Sequence, residues 1–322
     1  MIFVWITSQP AGFLVEKMKR LLIDTDVGLD DIVAIAMLAS NGKYVLEAFT
    51  TVNGLTPPLL GKDNLLRVLS FMNIKSCVVA GASFPVTKSS KKYSFPKQDV
   101  INASCLSFLK DILPQLLERN SQSPSVEDFL LKKVSKYPKK LTILCLGPLT
   151  NIALAVQKYG VDFTSKIGEL IIIGGAISTP GNVFPNKFAE YNIYLDPEAA
   201  NIVFQSGIPT TLVTLDACRL VPAKESFKKK VGTLTPQRRC AIVIQKTTLA
   251  NEKDFKYFYD PLASAILVDP KIIKGVSNLE IRVDVAGKNR GRTAGLKNKN
   301  GISVVKKIDP QRFYNQLLDV LS

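Results

Sequence analysis

The feature that most constrains this chain is the alternation of short apolar runs with longer helix-like stretches. Runs at 20–23, 46–52, 77–80, 141–146, 170–173 and 210–215 have strand length and are rich in apolar residues, as strands covered on both faces require. Between them, 32–38, 59–71, 149–157 and 197–205 read as helices. This βαβα order predicts an α/β fold: a single-domain, open, mostly parallel sheet with helices on both faces. Two more strands are expected at 279–285 and 302–306, then a helix over 310–321. The stretch 81–103, rich in Ser, Lys and Pro, reads as a mobile loop.

A chain of 322 residues that is 46% apolar can bury one large core. Residues 18–322 are read as that domain, and 1–17 as a loose appendage or a mis-assigned start, with Met18 the alternative first residue. No apolar run approaches the roughly 18 residues that cross a bilayer, so no membrane partner is expected. The five cysteines are scattered without a Cys-x-x-Cys pair. They are expected as unpaired thiols in a reducing cytoplasm, with Cys77 and Cys145 buried in strands. The net charge of +15 is spread over 88–92, 228–230, 238–239 and 288–307, with no interleaved aromatic residues. That pattern describes a solvated basic surface and no specific nucleic-acid partner. There is no histidine at all. Any chemistry must therefore run on carboxylates, tyrosine, lysine, cysteine or a hard metal ion.

The densest signal is Asp24-Thr25-Asp26-Val27-Gly28-Leu29-Asp30-Asp31, four acids in eight residues between a strand and a helix. In an open, Rossmann-like sheet, ligands bind beyond the carboxyl ends of strands, where this cluster falls. Crowded carboxylates raise one another's pKa unless a cation neutralises them, and calcium or magnesium is the natural partner for oxygen donors. Helix capping would account for Asp30 or Asp31, but not for all four.

This run resembles the signature of the inosine–uridine-preferring nucleoside hydrolase family, Asp-x-Asp-x-Gly-x-Asp-Asp after the first strand. Further blocks agree in order: Gly147-Pro148-Leu149-Thr150-Asn151-Ile152-Ala153; Gly174-Gly175-Ala176 leading to Gly181-Asn182; Ala189-Glu190-Tyr191-Asn192; Asp196-Pro197-Glu198-Ala199-Ala200; and Tyr259-Asp260-Pro261-Leu262-Ala263. The resemblance implies a calcium-dependent enzyme that hydrolyses the N-glycosidic bond of ribonucleosides. It implies that Asp26, Asp31 and Asp260, with the backbone carbonyl of Leu146, bind Ca2+. Asp30, Asn182, Glu190, Asn192 and Asp260 would hold the ribose, and Asp26 would be the general base. A homodimer or homotetramer follows by the same analogy. Carboxylates around the sugar suit the reaction, because positive charge develops on the ribose as the bond breaks.

Four departures from the family pattern bear on function. Tyr259 stands where the family usually has the histidine that protonates the leaving base, which makes Tyr259 the candidate acid and Tyr257 the reserve. Leu55 follows Gly54 where the family has asparagine, two extra residues lie between Asn182 and Glu190, and the 81–103 stretch lacks a histidine–glycine segment. The sugar half of the site is thus nearly complete and the base half altered. Tyr257, Phe258 and Tyr259 are candidates to line a base pocket, with core packing the alternative. The single tryptophan, Trp5, lies outside every motif, which favours pyrimidine over purine ribosides. A second reading is a catalytically weak, calcium-dependent riboside-binding protein, left when the acid is lost.

Overall fold

The computed structural model describes residues 18–87, 100–101, 103–104, 106–115, 124–184, 186–250 and 256–322. The expected appendage at 1–17 and most of the expected loop at 81–103 lie outside these residues.

The strands are β1 (Lys19–Thr25), β2 (Tyr44–Thr51), β3 (Cys77–Ala80), β4 (Leu141–Cys145), β5 (Glu169–Ile173), β6 (Thr210–Val213), β7 (Ile273–Val283), β8 (Thr293–Lys297) and β9 (Ile302–Ile308). They form one sheet in the order β3-β2-β1-β4-β5-β6-β9-β7-β8. Every pairing from β3 across to β9 is parallel, and β7 runs antiparallel to both β9 and β8. The open, mostly parallel α/β sheet expected from the sequence is the fold observed.

Side-chain alternation along β1 explains why its apolar run is nearly continuous. Leu21 and Ile23 face one layer, together with Phe49 and the helices Leu29–Asn41, Arg239–Ala250, Asp260–Val268 and Pro310–Leu321. Leu22 faces the other, with Ala48, Ile143 and Ile172 and the helices Val126–Lys136, Thr150–Tyr159 and Pro197–Phe204. Successive residues of a strand point to opposite faces, so covering both faces demands apolar residues throughout. The Leu29–Asn41 helix is enclosed in the same way. Ile32 through Leu38 are all buried, because it packs against both the Asp260–Val268 and Arg239–Ala250 helices. Gly42, in the left-handed conformation at φ 71°, ends it, a geometry that glycine adopts without a Cβ penalty.

The topology also fixes where a ligand can sit. From β1 the chain winds outward through β2 to β3, then crosses back to place β4 on the other flank of β1. The connections after β1 and β4 therefore diverge, and a crevice opens beyond their carboxyl ends. The β1–β4 ladder reaches that crevice, since Leu146 N donates to Asp24 O at 2.8 Å.

Three expectations need correction. Cys77 is exposed, because it opens the short edge strand β3; Cys145 is buried as expected. The strand placed at 279–285 runs instead from Ile273 to Val283, and β8 was not foreseen. Both lie at the antiparallel end of the sheet, where β7 alternates exposed and partly buried residues and polar residues interrupt the apolar pattern. Among the described residues no helix is long and apolar enough to cross a membrane.

Candidate active site

The turn after β1 is tied together by the side chains it carries. Thr25 Oγ1 accepts from Val27 N at 3.0 Å and donates to Asp31 Oδ1, while Gly28 N donates to Asp31 Oδ2 at 2.9 Å. Val27, fully buried, sits at φ 58°. That region is strained for a β-branched residue and persists only where surrounding contacts enforce it. Asp31 thus does cap the helix start, as the simple reading of the sequence allowed, but with oxygens that also face three other acids.

Asp24 lies beneath this turn with no exposed surface. Its Oδ1 accepts from Thr50 Oγ1 at 2.5 Å and from Asn151 Nδ2 at 2.7 Å, and its Oδ2 has no partner. Burial raises its pKa to about 7 against those two hydrogen bonds. Asp26 is buried as well, and Leu55 N donates to its Oδ2 at 2.7 Å. Backbone from two connections closes on it. A Cβ on Gly54 would fall 2.1 Å from Asp26 Oδ2, and one on Gly147 would fall 3.0 Å from Asp26 N, so both positions need glycine for close approach.

Asp30, Asp31 and Asp260 converge, with one carboxylate oxygen from each lying within 4.8 Å of the others. Asp260 arrives from the far end of the chain, on the first turn of the Asp260–Val268 helix. Its amide N–H reaches the Asp30 carboxylate, and its side chain adjoins that of Asp31. Asp26 adjoins this trio, and its pKa responds to both Asp31 and Asp30. Burial first, and neighbouring negative charge second, lift Asp26, Asp30 and Asp260 well above the usual carboxylate range, Asp30 to about 7. Burial raises Asp31 as well. Among the described residues, no lysine or arginine forms an ion pair with any of the four.

Three of the five residues expected at the ribose, Asn182, Glu190 and Asn192, lie on the connection after β5. Glu190 is buried and caps the Tyr191–Leu195 helix: Oε1 accepts from Asn192 N at 3.0 Å, and Oε2 from Ile193 N at 3.2 Å and Gly175 N at 3.1 Å. Burial holds its pKa above the ordinary value despite those N–H donors. Asn182 Oδ1 accepts from Tyr191 N at 3.1 Å. Asn192 Nδ2 donates to Leu146 O at 2.7 Å. This last bond links the ribose group to the expected backbone ligand, and a carbonyl with two lone pairs keeps one for a cation.

Tyr259 sits immediately before Asp260, and its ring lies 6.1 Å from that of Tyr257. Burial, then the nearby Cys218 and Asp30, push its phenol above the usual tyrosine range. Phe258 is not part of any base pocket. It turns the opposite way, fully buried against Phe227, Phe313 and Tyr314, as alternation along an extended segment dictates.

Sequence reading gave no role to several residues that build this region. Thr50 and Asn151 hold Asp24, and Asn151 was visible only as one letter of the Gly147–Ala153 block that resembles the family. Asp216 accepts from Ile177 N at 3.0 Å and Ser178 N at 2.8 Å. Arg219 donates to Thr179 Oγ1 and, at 2.7 Å, to Pro180 O. Both belong to one turn after β6 and grip the loop that carries Asn182; isolated charges in a helix-like stretch gave no sign of it.

Comparison with known proteins fits this arrangement. The profile described as "Inosine-uridine preferring nucleoside hydrolase" matches residues 21–315. The chain belongs to that family. Its N-glycosyl hydrolase activity on ribonucleosides follows from that membership. It is similar to "Uridine nucleosidase 1" of Arabidopsis thaliana, 32% identical over 305 residues, 90% of this chain and 86% of that protein. It is 30% identical over 322 residues to "Pyrimidine-specific ribonucleoside hydrolase RihA" of Escherichia coli, covering 94% of this chain and 97% of that one. The structure of a "Purine-Preferring Ribonucleoside Hydrolase from Gardnerella vaginalis" matches with TM-score 0.79 and 28% identity, over 94% of this chain and 98% of that chain.

The donor set suits the metal on which this family generally depends. All three converging groups offer hard oxygen, and among the described residues none forms an ion pair with lysine or arginine, so a cation would relieve the repulsion between crowded carboxylates.

Proposed function

We propose that this family member is a Ca2+-dependent hydrolase with a preference for pyrimidine ribonucleosides. The convergence of Asp30, Asp31 and Asp260 beside Asp26, in the crevice between β1 and β4, carries the reading. Asp26, Asp31 and Asp260, with the Leu146 carbonyl, would hold the ion. When bound, Ca2+ supplies positive charge that keeps these carboxylates ionised and makes nearby water a stronger acid.

The chain's own residues then have distinct tasks. Asp30, Asn182, Glu190, Asn192 and Asp260 would hold and orient the ribose hydroxyls. Asp26, steadied by the Leu55 amide, would take the proton from the water that attacks C1′. As the C1′–N bond lengthens, positive charge on the sugar is met by the surrounding carboxylates, an attraction stronger in the transition state than in the ground state. Tyr259 would donate a hydrogen bond to the departing base.

The names of the uridine- and pyrimidine-specific relatives support the pyrimidine preference. So does the tryptophan content: the single one, Trp5, precedes every motif. A cytoplasmic homodimer or homotetramer is part of the same reading, testable by sedimentation equilibrium. The deciding experiment measures release of free base from uridine, cytidine, inosine and adenosine, with and without a chelator. Uridine and cytidine should lead, chelation should abolish turnover, and Ca2+ should restore it. Ca2+-dependent binding without base release would identify a riboside binder instead, and faster purine turnover would overturn the base preference.

A further inference from the structure

The turn between β7 and β8, residues 284–292, and Thr293 that follows it belong to none of the motifs above, yet both press against the segment expected to hold the ribose. β8 is an edge strand, and β6, β9 and β7 lie between it and β5. With strands about 4.8 Å apart, a flat sheet would separate β5 from β8 by roughly 19 Å. Thr293, the first residue of β8, nevertheless bonds directly to the chain leaving β5. Its Oγ1 accepts from Ala176 N at 2.9 Å and donates to Ala176 O at 2.9 Å. The β7–β8 ribbon therefore leaves the plane of the sheet to make this contact.

Thr293 and Ala176 are both buried, and one hydroxyl satisfies the N–H and the C=O of Ala176 together, groups that are costly to leave unpaired. Gly175, at φ 79°, packs against it, since a Cβ there would lie 3.1 Å from Thr293 Oγ1. The Gly175 amide donates to Glu190 Oε2 at 3.1 Å. Thr293 is thus one residue removed from the amide that aims Glu190. The turn meets the Asn182 side as well. Arg292 forms an antiparallel bridge with Ala189, whose carbonyl accepts from Asn182 N at 3.0 Å. Asn186 Nδ2 donates to Arg290 O at 2.9 Å. Gly291, at φ 80°, comes so near that a Cβ on it would fall 2.8 Å from Tyr194 Cα and 3.0 Å from Ala189 Cβ, an approach that only glycine permits.

Resting on the hydrolase reading above, we infer that the β7–β8 turn is the template on which the ribose pocket is set. Thr293 is the positioning residue for Glu190, and the Arg290 carbonyl, through Asn186, positions the Asn182 loop. Both act through other residues. Thr293 fixes Ala176, Ala176 fixes the Gly175 amide, and that amide fixes the carboxylate that would select a ribose hydroxyl. A pocket built to bond a hydroxyl rejects a substrate lacking it only while its groups keep their places. Misplacement by about 1 Å costs on the order of a hundredfold.

The test measures kcat/KM on uridine and on 2′-, 3′- and 5′-deoxyuridine. Glu190→Gln first identifies the hydroxyl that Glu190 holds, as the one whose removal no longer carries its full penalty. Thr293→Val keeps the shape of the side chain and deletes its hydroxyl. It should lower kcat/KM on uridine by about tenfold to a hundredfold and shrink the penalty for that same missing hydroxyl by about tenfold, with the other two penalties within about twofold of wild type. Thr293→Ser should restore both quantities. Asn186→Ala removes only the bonds of a partly exposed side chain. It should shrink the penalty for the hydroxyl that Asn182→Ala identifies by about threefold, and it decides the matter for the turn if Thr293→Val does not fold. A turn that only stabilises the fold would instead lower the melting temperature and slow all four substrates in proportion. Such equal losses, or unchanged penalties in both variants, would overturn the inference. Unchanged penalties in Glu190→Gln would show that the ribose assignment is wrong, and a wild type that releases base from none of the four would remove the hydrolase reading; in either case the inference falls with its premise.

Discussion

At the scale of single residues, the site depends on side chains that are absent as much as on those present. Gly54 has space for a hydrogen and nothing larger against Asp26. Gly54→Ala would push either the Asp26 carboxylate or the 52–55 backbone aside, and displacing the proposed general base by about 1 Å would cost on the order of a hundredfold. We expect kcat on uridine to fall by about that factor while thermal stability drops by no more than about 2 kcal/mol; an alanine variant with normal kcat would mean that Asp26 is not the base. Tyr259 makes the opposite case, a group whose proposed role lies in its hydroxyl. Tyr259→Phe keeps the ring that packs beside Asp260 and should slow uridine hydrolysis by about tenfold, with p-nitrophenyl riboside nearly unaffected. Matching losses on the two substrates would show that the ring, and not its hydroxyl, matters.

At the scale of elements, the parallel part of the sheet was readable because its strands are covered on both faces, leaving long unbroken apolar runs such as Leu21-Leu22-Ile23 and Leu170 to Ile173. The antiparallel end was not, since Lys274, Gly275, Ser277 and Asn278 break up β7 where solvent tolerates them. The site divides the same way. Asp26, Asp30, Asp31, Glu190 and Asp260 stood in dense motifs, whereas the grip of Asp216 and Arg219 on the 177–180 loop exists only across space. For Phe258 the sequence left both a base pocket and core packing open, because three consecutive aromatic residues do not reveal which way each one faces; the core holds it. Helix ends are a further local matter. Gly42→Ala would force a Cβ into the left-handed turn that stops the Leu29–Asn41 helix, a change that costs about 1 kcal/mol. Urea denaturation should show that loss with KM for uridine unchanged; a shifted KM would mean that this helix end communicates with the Asp30–Asp31 end.

At the scale of the whole molecule, crowded acids that form no ion pair among the described residues make stability depend on pH and metal together. Asp24 and Asp30 have folded pKa values raised to about 7 from an ordinary 3.8. A carboxyl with a raised folded pKa binds more protons folded than unfolded, so the metal-free protein loses stability as pH rises from about 4 through 7. Each such proton changes the slope by up to about 1.4 kcal/mol per pH unit. In a chelator, the melting temperature should therefore be lower at about pH 8 than at about pH 5.5. Saturating Ca2+ should remove most of that fall by taking over the role of the protons. A chelated protein whose melting temperature climbs between those two pH values would show that the acids are compensated in some other way.

Because the trio of Asp30, Asp31 and Asp260 joins the first turn of the first helix to a helix near the carboxyl terminus, the order of synthesis gains a meaning. A nascent chain that has reached β6 already carries the signature acids, the Asn182–Asn192 group and most of the parallel sheet. It lacks the carboxylate that completes the ion's cage. On the proposed reading, such an intermediate could neither retain Ca2+ nor cut a nucleoside, so the activity would switch on only with the closing of the fold. An ion that binds the finished protein and not its precursors would stabilise that state alone, by about 2.7 kcal/mol when its concentration is a hundred times its dissociation constant.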